Sequence, residues 1–166
     1  PWRIGLFGRL TAIKGHEVAL RACAQLIQQG MAVKLCIVGD TPQASLRGIL
    51  ESVVESLKLR DIVEWLGVRE DIPALLASMD AVIVPSTYPE SFGRTVVEAQ
   101  AVGRPVVASR IGALPELIAR GLPILAFQSV DLQIDFGDAL LRAREFRAVL
   151  FDARCVIGDR GFELCY

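Results

Sequence analysis

The sequence lacks the features of several common protein classes. Its four cysteines, at positions 23, 36, 155 and 165, form no Cys-x-x-Cys pair, so neither a zinc site nor a disulfide framework is indicated. We expect reduced, mostly buried thiols in a cytoplasmic protein. No apolar run approaches the roughly 20 residues of a membrane span, and we find no signal peptide. The formal net charge of -1 argues against a protein that binds nucleic acid through its phosphate backbone.

Residues for several kinds of catalysis are also missing. Neither Gly-x-Gly-x-x-Gly nor Gly-x-x-x-x-Gly-Lys-Ser/Thr occurs, which argues against a nicotinamide site or a P-loop. No Asp-x-Asp pair and no His/Asp cluster is available to hold a divalent ion, so no metal site is predicted. His16, the only histidine, stands where a helix begins, and we expect it to cap that helix or lie at the surface. Ser86 and Ser91 have no base nearby in the sequence, so nucleophilic catalysis is unsupported.

What is present is the pattern of a parallel α/β sheet. Apolar residues make up 52% of the 166 residues, enough for one full core. Short apolar runs alternate with segments of helical periodicity, which predicts a Rossmann-like open parallel sheet with helices on both faces. We expect one domain over residues 1–166, regular to about residue 120 and atypical over 121–166. Strands are predicted at 3–7, 33–38, 62–65, 81–84, before 109 and at 122–127, and helices at 16–29, 43–57, 71–79 (capped by Asp71), from about 94, near 111–116 and at 138–151.

Residues 81–109 are the most informative stretch. The apolar run 81–84 is too short for a buried helix, and Pro85 removes the next backbone donor, so a strand ends there. The polar loop that follows leaves the carboxyl end of this strand, where open α/β sheets bind ligands. Between Glu90 and Glu98 lie a Phe-Gly pair and a helix start. Helix amides favour an anion, and carboxylates accept hydrogen bonds from sugar hydroxyls. This stretch therefore suits a ligand that has both a phosphate and hydroxyls.

The charged residues of these loops leave two interpretations open. Arg9 and Lys14 are five positions apart after the first strand, where an extended turn brings both cations to one diphosphate; alternatively, they are two solvated surface charges. Glu90 and Glu98 are likewise either sugar ligands or ordinary surface carboxylates. A hydrolase with paired carboxylates fits poorly, because one of the pair lies on a helix and cations flank the site. If a nucleoside diphosphate leaves here, fixed cations and helix amides must stabilise its charge.

Short motifs occur at the loops and element ends between about residues 4 and 118. They are Gly8-Arg9-Leu10, Lys14-Gly15, Val38-Gly39-Asp40 with Pro42, Leu66-Gly67, Pro85-Ser86, Glu90-Ser91-Phe92-Gly93, Glu98-Ala99, Gly103-x-Pro105-Val106-Val107, Gly112 and Pro115-Glu116. In order and spacing, these motifs together resemble the carboxyl-terminal half of a retaining glycosyltransferase of family 4 (group 1), which has the GT-B fold. After Glu116 the family pattern is poorly matched, so the segment 122–166 is expected to diverge.

By this resemblance, the chain would bind a nucleotide-diphosphate sugar at the predicted edge of the sheet. Arg9 and Lys14 would pair with the diphosphate as leaving group and Glu90 would hold the transferred sugar, which makes these three the predicted catalytic residues. Glu98 would hold the ribose hydroxyls. The loop 66–69 would lie beside the base. The remaining predicted contacts are Gly8, Gly39, Leu66, Val68, Phe92, Gly93, Arg94 and Thr95.

The resemblance also implies properties of a whole enzyme. It would transfer a hexose from a UDP-, GDP- or ADP-sugar with retention of configuration, without a metal or other cofactor. The acceptor would be a saccharide or a glycolipid of bacterial polysaccharide assembly, in the cytoplasm or at the inner face of the membrane through peripheral association of the full-length protein. The amino-terminal acceptor-binding domain is absent from this chain, so we expect weak donor binding and little catalysis. A GT-B sugar-nucleotide epimerase and a non-catalytic interaction module remain as alternatives.

Overall fold

The computed structural model describes residues 1–41, 44–120 and 126–130, and its strands form one parallel sheet. The strand order is β3-β2-β1-β4-β5-β6, and every neighbouring pair is parallel. This arrangement confirms the predicted Rossmann-like α/β fold. The strands are β1 (Trp2–Phe7), β2 (Val33–Val38), β3 (Val63–Gly67), β4 (Ala81–Val84), β5 (Val106–Ser109) and β6 (Ala126–Val130).

Helices cover both faces of the sheet because successive strand residues point to opposite sides. In β2, Leu35 and Ile37 pack in one buried cluster, whereas Cys36 and Val38 pack in the other. The first cluster is covered by α1 and α2, and the second by α3, α4 and α5. The helices are α1 (His16–Gln28), α2 (Ala44–Ser56), α3 (Ile72–Ala77), α4 (Arg94–Ala101) and α5 (Leu114–Arg120), and a 3-10 turn covers Ala12–Lys14.

Several details differ from the sequence prediction. The third strand extends to Gly67, so positions 66 and 67, which were predicted to belong to the loop 66–69, lie in the strand. Asp71 precedes α3 but makes no capping hydrogen bond, because its carboxylate instead accepts two bonds from the Arg69 guanidinium, each 2.9 Å. The helix also ends at Ala77, before the predicted 79. The described sixth strand is Ala126–Val130, which extends three residues past the predicted end at 127. Residues 122–125 of the predicted strand and the helix predicted at 138–151 lie outside the described residues. Over the described ranges, no helix is long and apolar enough to cross a membrane.

Candidate functional site

The strand order places a crevice between β1 and β4. The chain runs outward from β1 through β2 to β3, and then returns to the other side of β1 to form β4. In open α/β sheets, ligands bind at such a reversal, outside the carboxyl ends of the strands. The loops 8–15 and 85–93 leave the ends of β1 and β4 and contact each other, since the Thr87 N–H donates to the Ile13 carbonyl at 2.9 Å. We call the region that these two loops border the β1/β4 crevice.

Lys14 and Glu90 meet at this crevice, although 76 positions separate them in the sequence. The Lys14 ammonium lies 2.7 Å from the Glu90 Oε1 atom. Both side chains are largely shielded from solvent, with 28% and 15% of their surfaces exposed, so their attraction is screened less than that of a fully exposed pair. The structure therefore brings together two of the three predicted catalytic residues.

Glu90 is held through its side chain and its backbone. The hydroxyl of Ser86, a fully buried residue, donates a hydrogen bond to Glu90 Oε1. The Ala113 N–H donates to the Glu90 carbonyl oxygen at 3.0 Å. A Cβ at Gly112 would lie 2.6 Å from the Glu90 backbone nitrogen, so only glycine permits this close approach. This contact was not predicted, and its one signal in the sequence is the four-residue spacing between Ser86 and Glu90.

Backbone contacts join the carboxyl ends of β1, β2 and β3 through Gly8 and Gly39. The Gly8 N–H donates to the Val38 carbonyl at 2.9 Å, and the Gly39 N–H donates to the Gly67 carbonyl at 2.7 Å. A Cβ at Gly39, where φ is +128°, would lie 2.0 Å from the Gly8 carbonyl oxygen. A Cβ at Gly8 would itself lie 3.6 Å from Cε of Lys14. These glycines allow the loops to approach closely, which places Gly8 and Gly39 near the crevice as predicted.

The start of α4 faces the same region. Gly93 is its N-cap residue, in the left-handed conformation at φ +58°, and the first amides of a helix have no intrahelical acceptor. The Thr95 hydroxyl donates to the carbonyl oxygen of Phe7, the last residue of β1, at 3.4 Å. This contact holds the first turn of α4 against the end of β1. The Val96 N–H already donates to the Gly93 carbonyl at 3.0 Å, so the amides of this turn that can bind an anion are those of Arg94 and Thr95.

The other predicted site residues lie further out. Arg9, Val68 and Phe92 are exposed, the latter two at 77% and 68%, and Leu66 packs partly against the second buried cluster. Arg94 and Glu98 are i,i+4 neighbours on α4, with 3.8 Å between Arg94 Nε and Glu98 Oε1. Among the residues that the structure describes, no ion pair joins Arg9, Arg94 or Glu98 to the Lys14–Glu90 pair. The structure thus brings together an inner group and leaves this outer group at the solvent side.

The described cysteines and acidic residues form no further site. Cys23 and Cys36 are free and buried, in agreement with the expectation for these two, and burial raises the pKa of Cys23 to about 12. Cys155 and Cys165 lie outside the described ranges. Within those ranges, no group of three or more His, Cys, Asp or Glu residues could hold a metal ion.

His16 differs from the prediction, since it neither caps a helix nor lies at the surface. It is the first residue of α1, whose N-cap is Gly15, and the residue is buried, with 2% of its surface exposed. Neither ring nitrogen has a hydrogen-bond partner among the described residues. Burial lowers the pKa of His16 to about 4, and the positive charge of Lys14 adds to this shift.

This buried histidine is expected to make the chain less stable in mild acid. Between its unfolded pKa of about 6.5 and its folded pKa of about 4, the unfolded state binds a proton that the folded state excludes. Stability therefore falls as the pH decreases through this window, by about 2 kcal/mol between pH 7 and pH 5. Urea denaturation at both pH values checks this, with His16→Gln as the control that should lose most of the pH dependence. An equal pH dependence in both proteins would contradict the assignment.

Comparison with known proteins identifies relatives of this chain. A sequence model of the family described as glycosyl transferases group 1 matches residues 1–145. The chain is 38% identical over 143 residues to a D-inositol 3-phosphate glycosyltransferase of Corynebacterium jeikeium, which covers 82% of this chain and 34% of that protein. It is 33% identical over 158 residues to the 2-deoxystreptamine glucosyltransferase of Streptomyces kanamyceticus, covering 94% of this chain and 38% of that protein.

Solved structures that resemble this chain include further glycosyltransferases. The chain resembles Anabaena Alr3699/HepE, crystallised in complex with UDP-glucose, with a TM-score of 0.71 and 32% sequence identity over 92% of this chain and 40% of that one. It also resembles the sucrose-phosphate synthase of Thermosynechococcus elongatus, with a TM-score of 0.71 and 30% identity over 92% of this chain and 37% of that one. The chain thus spans well under half the length of each of these relatives.

Proposed function

Because the chain belongs to the group 1 glycosyltransferase family, we propose that it is the donor-binding domain of a glycosyltransferase and that the β1/β4 crevice binds a nucleotide-diphosphate sugar. The observation that carries this proposal is the Lys14–Glu90 pair, with 2.7 Å between Nζ and Oε1. A cation and a carboxylate at one point of the crevice match a ligand in which a phosphate is joined directly to a sugar. The start of α4 supplies backbone amides beside them.

In this proposal, the inner residues act on the diphosphate and the transferred sugar. The diphosphate competes with Glu90 for Lys14, and the carboxylate released from that ion pair accepts hydrogen bonds from the sugar hydroxyls. Arg9, on the same loop as Lys14, turns toward the second phosphate. The negative charge that develops on the leaving diphosphate is then stabilised by these two cations and by the α4 amides. We propose on this basis that transfer needs no metal or other cofactor. From the resemblance to family 4, we further propose that it retains the anomeric configuration.

The outer residues are proposed to bind the nucleoside. Glu98, one turn into α4, accepts hydrogen bonds from the ribose hydroxyls, and Leu66 and Val68 lie beside the base. Anabaena Alr3699/HepE binds UDP-glucose, which makes UDP the first nucleotide to test, with GDP and ADP as the alternatives. The identity of the base is the part of the ligand that the sequence determines least, since main-chain atoms of residues 66–69 would make the contacts to it.

Transfer also requires a part of the protein that this chain does not contain. The relatives are longer, and this chain covers 34% of the Corynebacterium enzyme. We propose that an amino-terminal acceptor-binding domain closes over the crevice, where Ile13, Tyr88 and Phe92 present exposed apolar side chains. Residues 1–166 would then form one donor domain of a two-domain enzyme. The acceptor would be a saccharide or a glycolipid, and the enzyme would work in the cytoplasm or peripherally at the membrane.

Nucleotide binding distinguishes this proposal from its alternatives. Family membership favours transfer over epimerisation, and an interaction module would bind no nucleoside diphosphate. We expect Glu98→Ala to weaken binding of the preferred nucleotide by roughly tenfold or more, since a hydrogen bond to a charged group contributes about 1.5 to 3 kcal/mol. The measurement is isothermal titration of the chain and the variant with UDP, GDP and ADP.

A matched control separates the loss of a side chain that binds the nucleotide from a general effect of the change in net charge. Glu55 is an exposed carboxylate near the end of α2 that pairs with Arg60, and Glu55→Ala changes the net charge by the same amount. This variant should bind nucleotide like the unmodified chain. If none of the three nucleotides binds the unmodified chain, the proposed function is wrong; if both variants bind alike, Glu98 is not a nucleotide ligand.

A further inference from the structure

Ser86 occupies a buried position directly beside the proposed sugar-binding carboxylate. It is the second residue after β4, and none of its surface is exposed. Its hydroxyl donates a hydrogen bond to Oε1 of Glu90, the same oxygen that accepts from Lys14 Nζ. Over the residues that the structure describes, no hydrogen bond reaches the second oxygen, Oε2. Protein groups therefore hold one oxygen of the carboxylate, while the other oxygen can accept a hydrogen bond from a ligand.

We propose that Ser86 is a positioning residue that fixes the plane of the Glu90 carboxylate, so that Oε2 is presented to a hydroxyl of the donor sugar. This inference rests on the proposed function of the crevice. A glutamate side chain on a loop has a broadly variable terminal torsion, and a donor sugar would have to restrict it on binding. A hydrogen bond from a buried hydroxyl restricts it beforehand, which reduces the entropy lost when the sugar binds.

The role of Ser86 becomes larger when a diphosphate is bound. Lys14 is then shared with the phosphates or drawn to them, and its contact with Glu90 is weakened. The Ser86 hydroxyl carries no charge that a phosphate could attract, so it remains on Oε1. Ser86 is thus the side-chain contact that keeps Glu90 oriented in the donor complex, whereas Lys14 does so mainly before the donor arrives.

The effect of Ser86 is confined to the side chain of Glu90, because other contacts fix its backbone. The Ala113 N–H binds the Glu90 carbonyl at 3.0 Å, and Gly112 packs against the Glu90 main chain. Ser86→Ala removes one hydroxyl and leaves these contacts in place. The variant should therefore fold, keep its nucleotide site and lose only the orientation of the carboxylate.

Titration of matched ligand pairs tests this inference. The pairs are UDP with UDP-glucose, GDP with GDP-mannose and ADP with ADP-glucose, and the quantity compared is the ratio of the two dissociation constants in a pair. For the pair in which the unmodified chain prefers the sugar form most, we expect Ser86→Ala to reduce the preference by roughly three- to tenfold, the size of one hydrogen bond. Affinity for the nucleotide without sugar should stay within about twofold.

The chain offers a closely matched control in Ser109. It is the last residue of β5, it is as buried as Ser86, and its hydroxyl has no hydrogen-bond partner among the described residues. Ser109→Ala should therefore leave the preference for the sugar form unchanged. Ser86→Thr keeps a hydroxyl and should restore at least half of the lost preference; if the added methyl prevents folding, Ser86→Ala and Ser109→Ala decide alone.

The outcomes separate this inference from the proposed function. If no nucleotide binds the unmodified chain, both fail. If a nucleotide binds but no pair shows a preference for the sugar form, or if Ser86→Ala leaves that preference intact, the nucleotide site stands and the positioning role is wrong. If Ser86→Ala weakens nucleotide and nucleotide sugar equally, Ser86 is a structural residue only. Selective loss of the sugar preference in Ser86→Ala, and not in Ser109→Ala, supports the positioning role.

Discussion

Replacement of Gly15 by alanine is expected to lower the free energy of unfolding by at least about 3 kcal/mol. Gly15 has a φ of +67°, and a Cβ there would lie 1.8 Å from the carbonyl oxygen of Pro85. The Cβ position is fixed by the backbone at position 15 and the oxygen belongs to the Pro85 backbone, so no side-chain rotation can relieve the clash. The loop after β1 would have to separate from the loop after β4. Denaturation with urea, followed by circular dichroism, measures the loss.

Gly30 is the matched control for this substitution. It also has a positive φ, +83°, but nothing lies within 4 Å of a Cβ built on it. Gly30→Ala therefore carries only the backbone strain of the left-handed conformation, which costs about 1 to 2 kcal/mol. If Gly15→Ala destabilises the chain no more than Gly30→Ala does, the two crevice loops do not pack against each other as the structure has them.

The contact at Gly15 matters for the site because it sets the position of Lys14. Next to it, the Thr87 N–H donates to the Ile13 carbonyl at 2.9 Å, and the Thr87 hydroxyl donates to the Ala12 carbonyl at 3.3 Å. These bonds fix the 3-10 turn that carries Lys14 against the loop that carries Glu90. The ion pair thus depends on backbone packing that only a glycine at position 15 allows.

The sequence was sufficient to predict the exact bounds of two strands, but not how the loops after the strands meet. The strands 33–38 and 81–84 were predicted with the observed bounds, because each is an apolar run followed directly by Gly39 or by Pro85. Gly39 ends its strand because it adopts a positive φ, and Pro85 ends its strand because it has no backbone N–H. The meeting of Lys14 and Glu90 depends instead on β4 lying beside β1, and strand order is decided by the packing of the whole sheet, which no local pattern specifies.

The error at His16 has a local cause that the sequence did contain. His16, Ala19, Cys23 and Leu26 follow one another at spacings of three and four residues, and all four are buried on one face of α1. The prediction considered only the position of the histidine at a helix start, where polar residues often cap. Helical spacing with apolar residues was the stronger signal, and it places the ring in the core, where its pKa falls.

The fold alone does not determine how the outer residues are arranged around a nucleotide. Arg9, Val68 and Glu98 were assigned to the nucleotide by resemblance, and their exposed positions follow from the loops and helix face that carry them. No contact within the described residues draws them toward Lys14 and Glu90. Their arrangement around a nucleotide therefore depends on the ligand and on the remainder of the enzyme, and those roles stay predictions until binding is measured.

Lys14→Ala is expected to have the largest effect on ligand binding. In the proposed site, Lys14 is the most shielded cation available to the diphosphate, with 28% of its side chain exposed, and hydrogen bonds to charged groups contribute about 1.5 to 3 kcal/mol each. We therefore expect affinity for the preferred nucleotide diphosphate to fall by roughly 10- to 100-fold. Isothermal titration measures this loss, and the corresponding nucleoside without phosphates should bind the variant and the unmodified chain alike.

A second lysine tests whether this effect is specific to the crevice. Lys34 is the second residue of β2 and lies toward the amino end of the sheet, so Lys34→Ala removes the same charge at the opposite edge. The affinity of the Lys34→Ala variant for the nucleotide should change by less than about twofold, because a screened charge at that distance contributes little. The Lys14→Ala variant should also be less stable. It leaves Glu90, whose side chain is 15% exposed, with Ser86 as its remaining side-chain partner, and this loss should lower the free energy of unfolding by about 1 kcal/mol. If Lys14→Ala and Lys34→Ala weaken binding equally, the diphosphate is attracted by overall charge, and the crevice between β1 and β4 is not where it binds.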